Sequence, residues 1–274
     1  INQPVLDYGL RGLVSLELTV TGPSRDLHSG HYGGNVHNPI QALAEIIAQL
    51  HDHEVHVTVP GFYDDVLPLT DDEREVLSQL QPWIENEWQN VTGAPQPWGE
   101  PEYRLHERIA VRPTLEINGI AGGYAGQGFK TVLPSKALAK ISCRLVPNQD
   151  PVKIFAAVRD YIMALTPPTV TSHVREMDEG SPGIILDRHA APMQAAARAY
   201  EKGWGVTPLF SREGGSIPVV SVFQRELQIP IVMLPFGYKG CGAHSTNEHV
   251  YLDMFHKGIA TAIHFYYEFA AMGI

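Results

Sequence analysis

Two histidines lie in glycine-rich loops, a setting typical of binding sites. His28 lies in R-D-L-H-S-G-H-Y-G-G, and His244 lies in G-C-G-A-H-S-T-N-E-H-V. Glycines let the backbone approach a ligand closely, and loops on a rigid scaffold often carry function. An imidazole at His28 could donate a hydrogen bond to an oxyanion. A loop histidine that is satisfied by its own backbone explains the same residue equally well.

His244 also has the chemistry of a metal ligand. It follows an apolar segment that is predicted to be a strand, and Glu248 is near enough in sequence to orient its imidazole. A zinc site needs at least three protein ligands, however, and the sequence has no HExxH, no CxxC and no second His–carboxylate cluster. His51, His53 and His56 crowd a helix end, where solvated histidines are more common than metal sites. By spacing alone, His244 is a ligand without companions.

A second group of residues could bind a carboxylate. Arg144 lies in the apolar strand K-I-S-C-R-L-V-P, and Thr131 lies on the hairpin that leads to it. A guanidinium in a strand needs a planar anion, which is either a carboxylate of the protein or a carboxylate of a substrate. A structural salt bridge to the protein's own carboxylate is the more common of the two. Gly214, Gly215 and Ser216 precede a predicted helix, whose N-terminus could cradle a carboxylate. A simple Gly-Gly turn with a serine cap also explains these three residues.

The elements that must position these residues follow the order β-α-β-β-α-β over residues 12–175. This order is the ferredoxin-like arrangement, with two helices on one face of a four-stranded antiparallel sheet. Helices are predicted to begin at Pro39 and Pro151, with N-caps at Asn38 and Asp150. The strands are predicted at 12–22 and near Thr114–Ile120, Ala137–Val146 and Val170–Val174. The first helix is expected to turn Ile40, Leu43, Ala44, Ile47 and Leu50 to a core.

Two further stretches complete the predicted organisation. Residues 52–112 are rich in proline and glycine around one helical pattern near Thr70–Leu80, which indicates an insertion. The C-terminal stretch predicts part of an α/β layer. Its expected elements are helices at about His189–Lys202, after Gly215 and at Leu252–Ala271, and strands at Pro208–Phe210 and Ile229–Pro235. The sequence therefore predicts an α/β protein with a ferredoxin-like unit.

The composition excludes several classes of protein. The 274 residues include 20 Lys+Arg and 30 Asp+Glu, so the net charge of −10 argues against a nucleic-acid partner. No apolar run reaches the roughly 20 residues of a membrane span, and no signal peptide is recognisable. The 2 cysteines are too few for a disulfide scaffold, so we expect a cytoplasmic protein. Because the sequence begins at Ile1 and not at Met, we also expect a fragment.

Six motifs in order resemble a known family. They are Y-G-L-R-G at Tyr8–Gly12, D-L-H-S-G-H-Y-G-G at Asp26–Gly34, K-T-V-L-P at Lys130–Pro134, R-L-V-P-N at Arg144–Asn148, R-E-G-G-S-I-P at Arg212–Pro218 and G-A-H-S-T-N-E at Gly242–Glu248. The set resembles the carnosinase and cytosolic dipeptidase branch of the zinc exopeptidases, a family that also contains acetylornithine deacetylase and succinyl-diaminopimelate desuccinylase. Residues 52–112 resemble the longer insertion of bacterial relatives.

The resemblance implies a division of the chain and a role for each candidate residue. Residues 1–8 would be a remnant of the catalytic domain, 9–181 a lid and dimerisation domain, and 182–274 the C-terminal part of the catalytic domain. By motif position, His244 would be a zinc ligand, and His28 would reach the partner subunit's active site and stabilise the oxyanion. The residues that would hold the substrate's carboxylate end are Thr131, Arg144, Gly215 and Ser216.

The resemblance also implies an activity. The full protein would be a homodimeric dinuclear zinc dipeptidase or amidohydrolase that acts on a small peptide or an N-acyl amino acid. The family's other metal ligands and its general base lie upstream of the Tyr8 motif, so this chain alone would bind zinc poorly and be inactive. The alternative is a non-catalytic module that dimerises and binds amino-acid-like anions.

Overall fold

The buried apolar residues of the chain lie mainly between two larger β-sheets and the helices that cover them. The computed structural model describes residues 3–273. Its strands are β1 (Val5–Leu10), β2 (Gly12–Thr21), β3 (Leu27–His28), β4 (Thr114–Gly122), β5 (Val132–Leu133), β6 (Lys136–Leu145), β7 (Thr171–Glu176), β8 (Ile184–Ile185) and β9 (Leu209–Glu213). Its helices are α1 (Ser29–Tyr32), α2 (Pro39–Ala48), α3 (Asp71–Ser78), α4 (Gln81–Val91), α5 (Leu105–Val111), α6 (Pro151–Leu165), α7 (Ala191–Trp204), α8 (Pro218–Leu227) and α9 (Leu252–Ala270).

The first sheet confirms the predicted ferredoxin-like arrangement. Strands β4, β6, β2 and β7 form a four-stranded antiparallel sheet in that order. Side chains alternate between the two faces of a strand, so β2 buries every second residue, namely Val14, Leu16, Leu18 and Val20. Helices α2 and α6 cover this face and share one core with it. The opposite face carries the polar residues of β2 and β6, Arg144 among them.

Both predicted helix caps of this unit are confirmed. Asn38 Oδ1 accepts a hydrogen bond from Ile40 N at 2.9 Å, and Asp150 Oδ1 accepts one from Val152 N at 2.8 Å. A proline follows each cap, where its missing N–H costs nothing. These local signals explain why the starts of α2 and α6 are readable from sequence.

The buried face of α2 agrees in part with the prediction. Leu43 and Leu50 lie in the core and Ile47 packs against it, as expected. Ile40 and Ala44 are exposed, however, and Ala42 and Ile46 are buried instead. Ile40 lies against the end of β4, where a Cβ added at Gly123 would meet its Cδ1 at 2.9 Å.

A second, three-stranded sheet has the order β8-β1-β9. Strand β1 is central, parallel to β9 and antiparallel to β8. Helices α7 and α9 pack on each other, and their residues form one core with those of β1 and β8. The helices predicted near 189–202, after Gly215 and at 252–271 are confirmed as α7, α8 and α9.

The strand predicted at Ile229–Pro235 is wrong. This segment is irregular, although its residues Ile231–Leu234 are partly buried against the second core. A strand needs a hydrogen-bonded neighbour, and within residues 3–273 neither β8 nor β9 pairs with this segment. Hydrophobicity alone therefore buries the segment without making it a strand.

The insertion at 52–112 contains more helix than predicted. One helix was expected near Thr70–Leu80, whereas the structure has α3, α4 and α5. Helix α3 begins as the sequence predicts, with Thr70 Oγ1 accepting from Glu73 N at 3.3 Å. Helix α4 buries no residue fully, so it lacks the apolar face by which a helix is found. Leu77 and Val111 of this insertion pack with Leu209 of β9, which ties it to the second sheet.

The remaining global predictions concern membranes and cysteines. Among residues 3–273, no helix combines the length and apolarity that crossing a bilayer requires. Cys143 is buried and Cys241 is partly buried, and both are free thiols. Burial raises the pKa of the Cys143 thiol to about 12, so this cysteine is an inert core residue.

Candidate functional site

The structure brings His28 and Thr131 together. Strands β3 and β5 pair antiparallel, with His28 opposite Val132. The next rung of this ladder is the hydrogen bond from Ser29 N to Thr131 O at 2.9 Å. By sequence Thr131 leads to the strand of Arg144, but its backbone lies across from Ser29, directly beside His28. The ladder therefore brings the backbone segments of His28 and Thr131 close together.

The His28 imidazole is held in one tautomer. Its Nδ1 accepts a hydrogen bond from Gly30 N at 3.0 Å, so the proton of the neutral ring lies on Nε2. The ring stacks on His31 with 4.7 Å between centroids, and His28 is exposed. The loop histidine is thus bonded to its own backbone, as the simpler interpretation expected, and it still presents an N–H donor to solvent.

Arg144 and Ser216 form the second group. Arg144 Nη1 donates to Ser216 Oγ at 2.8 Å, and Ser216 Oγ donates to Gly12 O at 3.1 Å. In the described part of the chain, other arginines form ion pairs with carboxylates and Arg144 does not. The structural salt bridge that is the common outcome for such a residue is absent here. Arg144 retains hydrogen-bonding capacity for an anion.

Gly215 and Ser216 lie in a turn ahead of helix α8. Helix α8 has Ile217 as its N-cap with no side-chain cap bond, so Ser216 is not a helix cap. The Gly215 N–H is not free, because it donates to Glu213 Oε1 at 3.2 Å. A carboxylate of the protein itself thus occupies the amide that was expected to bind a substrate carboxylate. Ser216 is joined instead to Arg144, from which its hydroxyl accepts a hydrogen bond.

Arg11 also belongs to this group, which the sequence did not predict. Its backbone N donates to Gly215 O at 3.1 Å, and its Nε donates to Gly214 O at 2.9 Å. Burial, and next the charge of Arg144, lower the pKa of Arg11 to about 10, so it stays protonated near neutral pH. The Arg11-Gly12 pair in the Tyr8–Gly12 motif was the available signal. The partner turn lies 203 residues away, so the sequence could not show the contact.

His244 lies apart from both groups. It is exposed, with a left-handed φ of 61°, in a loop closed by the hydrogen bond from His249 N to Cys241 O at 2.9 Å. The loop follows an irregular segment and not a strand. Among the described residues, the expected contact between His244 and Glu248 is not formed. The histidine ring that has a hydrogen bond in this loop is that of His249, whose Nδ1 lies 2.8 Å from Asn247 O.

The described residues do not form a metal site around His244. Within 3–273, the one group of three potential ligands is His56, Glu100 and Glu102. Both oxygens of Glu100 are already used, one by the Tyr63 hydroxyl at 2.9 Å and the other by Arg112 Nε at 2.5 Å. His256 and His264 lie on α9 and belong to no such group. A metal at His244 would need ligands that this part of the structure does not provide.

The arrangement can bind and orient, but the described residues supply no metal-activated nucleophile. Arg144 and Ser216 can hold an anion, and His28 can donate a hydrogen bond to a developing negative charge. No hydrogen bond or ring contact joins His28 to Arg144 within 3–273. In the described residues, His28 with Thr131 and Arg144 with Ser216 are therefore two separate groups, each a candidate half-site.

Comparison with known sequences gives a family match and curated relatives. A sequence model described as the peptidase dimerisation domain, of the M20 type, matches residues 8–170. The chain is 35% identical over 273 residues to the Cys-Gly metallodipeptidase dug1 of Schizosaccharomyces pombe, covering 98% of this chain and 57% of that protein. It is 29% identical over 272 residues to the human Beta-Ala-His dipeptidase, covering 98% of this chain and 54% of that protein.

Solved structures agree with this result. The di-peptidase Dug1p of Saccharomyces cerevisiae matches with a TM-score of 0.85 and 32% identity, over 97% of this chain and 56% of that one. An M20 family metallo-carboxypeptidase of Sulfolobus solfataricus matches with a TM-score of 0.81 and 29% identity, over 96% of this chain and 59% of that one. The predicted fold class is confirmed. The chain spans little more than half the length of these relatives.

Proposed function

Because this chain belongs to the M20 peptidase dimerisation-domain family, we propose that it is the C-terminal portion of a metal-dependent dipeptidase. The proposed reaction is hydrolysis of a peptide bond, or of an N-acyl amide bond, next to a free carboxylate. Relatives at 33–35% identity are named for Cys-Gly, and those at 29–30% are named for β-Ala-His. Cys-Gly is therefore the substrate to test first.

The observation that carries this proposal is the Arg144–Ser216 pair. The 2.8 Å hydrogen bond fixes the guanidinium against a neutral hydroxyl, and Gly12 O fixes that hydroxyl in turn. A guanidinium held in this way is a ready acceptor of a planar carboxylate. In this proposal Arg144 and Ser216 bind the substrate's terminal carboxylate beside Gly215.

The second half-site supports a shared active site. We assign the oxyanion contact to His28 Nε2–H and place Thr131 beside it, because the β3–β5 ladder carries both residues. No hydrogen bond or ring contact joins His28 to Arg144 among residues 3–273, and in this proposal the site combines His28 and Thr131 of one subunit with Arg144 and Ser216 of the other. A homodimer formed through the lid would place them together.

The proposed domain organisation follows the two sheets. Residues 1–8 and 182–274 would belong to the catalytic domain, because β1 lies between β8 and β9. Residues 9–181 would form the lid. His244 would supply one ligand to a zinc site completed by residues elsewhere in the full protein, so the chain alone would be inactive. Free thiols at Cys143 and Cys241 agree with the proposed cytoplasmic location.

The test is carboxylate recognition by the complete protein. Arg144→Met should raise the KM for Cys-Gly about 10- to 100-fold, since a charged hydrogen bond contributes about 1.5–3 kcal/mol. The C-terminal amide of Cys-Gly should be a poor substrate for the wild type. The Arg144→Met enzyme should no longer distinguish the acid from the amide.

A matched control is Arg175→Met, since Arg175 lies in the same sheet but pairs with Glu17 at 3.3 Å. Its KM should equal that of the wild type. If Arg144→Met kept the full preference for the free acid over the amide, Arg144 would not be the carboxylate-binding residue.

A further inference from the structure

The Gly214–Ser216 turn is held from one side by Arg11. The backbone N of Arg11 donates to Gly215 O at 3.1 Å, and its side-chain Nε donates to Gly214 O at 2.9 Å. Both carbonyls that precede Ser216 are therefore bonded to one residue, which lies between β1 and β2. The position of the turn relative to β2, and so to Gly12 O, depends on this residue.

The same turn is held from the other side by the insertion. A Cβ added at Gly214 would lie 2.8 Å from Ile109 Cγ2 in α5 and 2.9 Å from Arg11 Nη2. Gly214 does not have a positive φ, so the position needs glycine for space and not for backbone conformation. Ile109 and Arg11 thus leave no room for a side chain between them.

The charges around Arg11 affect where its guanidinium lies relative to Arg144, the proposed carboxylate-binding residue. The charge of Arg144 helps to lower the pKa of Arg11, and the carboxylates of Glu213 and Glu116 oppose that shift. A mobile Arg11 would move away from Arg144. The hydrogen bond from Nε to Gly214 O keeps it in place.

We infer that Arg11 and Ile109 are positioning residues that clamp Gly214 and thereby keep Ser216 Oγ on the Arg144 guanidinium. The inference rests on the proposed role of Arg144 and Ser216 in binding the substrate carboxylate. This inference gives residues 52–112 a function, because Ile109 of helix α5 in this insertion packs against Gly214. Neither residue touches the substrate in this scheme.

The first experiment replaces Arg11 in the complete protein, with Cys-Gly as the probe. Arg11→Met keeps the aliphatic stem and removes the donors, and it should raise KM about tenfold with kcat within about twofold of wild type. Arg11→Lys keeps the charge but cannot place a planar Nε–H on Gly214 O, so it should show the same raised KM. A wild-type KM in either variant would overturn the clamp.

The second experiment tests the clamp from the insertion side. Gly214→Ala should raise KM, because its methyl group pushes against Ile109 and Arg11. Ile109→Ala alone should also raise KM, because the turn loses its contact with α5. In the double variant Gly214→Ala/Ile109→Ala the new methyl group takes the place of Ile109 Cγ2 against the turn, so most of the lost affinity should be recovered. If adding Ile109→Ala to the Gly214→Ala variant did not lower its KM again, Ile109 would not be a residue that positions Gly214.

The Arg144→Met enzyme distinguishes a failure of the Arg11–Ile109 positioning from a failure of the proposed carboxylate site. A raised KM for Arg144→Met with an unchanged KM for Arg11→Met would remove the clamp and leave the proposed function intact. An unchanged KM for Arg144→Met would remove the proposed function itself. Thermal melting of each variant checks folding, and the double variant reports on the clamp even if Arg11→Met fails to fold, since it keeps Arg11.

Discussion

Tyr8 donates its phenolic hydrogen bond to Glu73 Oε1 at 3.0 Å, which joins the central strand of the second sheet to helix α3 of the insertion. Glu73 also forms an ion pair with Arg212 of β9, and the Arg212 guanidinium lies 5.6 Å from the centre of the Tyr8 ring. Burial and the Glu73 charge raise the pKa of Tyr8 to about 12. Tyr8 is therefore a neutral donor at any physiological pH.

This junction predicts a graded loss of stability. Tyr8→Phe should cost about 1 kcal/mol, because one hydrogen bond is lost and Glu73 keeps Arg212. Glu73→Ala should cost about 3–5 kcal/mol, because it leaves a buried guanidinium unpaired. The Arg212 side chain is only 10% exposed, and its Nε has no hydrogen-bond partner in the described structure. Urea unfolding measures both changes.

The control is Asp160→Ala, which removes an exposed ion pair with the adjacent Arg159. Its free energy of unfolding should match that of the wild type within error. Equal losses for Tyr8→Phe and Glu73→Ala would show that the ion pair contributes nothing beyond the hydrogen bond.

His106 in α5 predicts a loss of stability in acid. Both of its ring nitrogens are buried and lack a hydrogen-bond partner among the described residues. Burial lowers the pKa of His106, while Glu107 and Glu85 oppose that shift and Arg104 and Arg74 add to it. The unfolded chain therefore takes up the proton first, near its usual pKa of about 6.5. Stability is complete above that pH and falls below it, by up to about 1.4 kcal/mol per pH unit.

The measurement is the free energy of unfolding of wild type and His106→Leu between pH 8 and pH 5. His106→Leu removes two unsatisfied nitrogens, so it should be no less stable than wild type at pH 8. Its advantage should grow as the pH falls, because only the wild type has this histidine to protonate. Parallel pH profiles for the two proteins would contradict the assignment.

Local signals were readable from the sequence, and distant contacts were not. The caps at Asn38 and Asp150 and the alternation of β2 depend on neighbouring residues, and the prediction of each is confirmed. The segment Ile229–Pro235 has the hydrophobicity of a strand but no hydrogen-bonded partner, which no local pattern reveals. The hydrogen bond from Arg11 to Gly214 joins residues 203 apart, so the sequence indicated only the glycine turn.

The lone His244 predicts weak metal retention. A zinc site needs at least three protein ligands, and His244 belongs to no group of three among residues 3–273. After dialysis against metal-free buffer, the chain 1–274 should contain far less than one zinc per molecule by mass spectrometry. The complete protein should retain zinc under the same conditions, and its His244→Ala variant should lose part of it. Stoichiometric zinc on the chain alone would mean that its ligands have been misidentified.

The proposed sharing of His28 and Arg144 between two subunits predicts complementation between them. In the complete protein, His28→Ala should lower kcat about 100- to 1,000-fold with a smaller effect on KM, as expected for loss of an oxyanion donor. A His244→Ala subunit should lack activity in its own metal site but keep an intact His28. In a mixed dimer, the His28→Ala subunit would contribute the intact metal site and the His244→Ala subunit would contribute His28. One of the two sites would then be complete, so mixing the two inactive homodimers under conditions that exchange subunits should restore activity. Mixed dimers with no more activity than the parents would show that His28 acts within its own subunit.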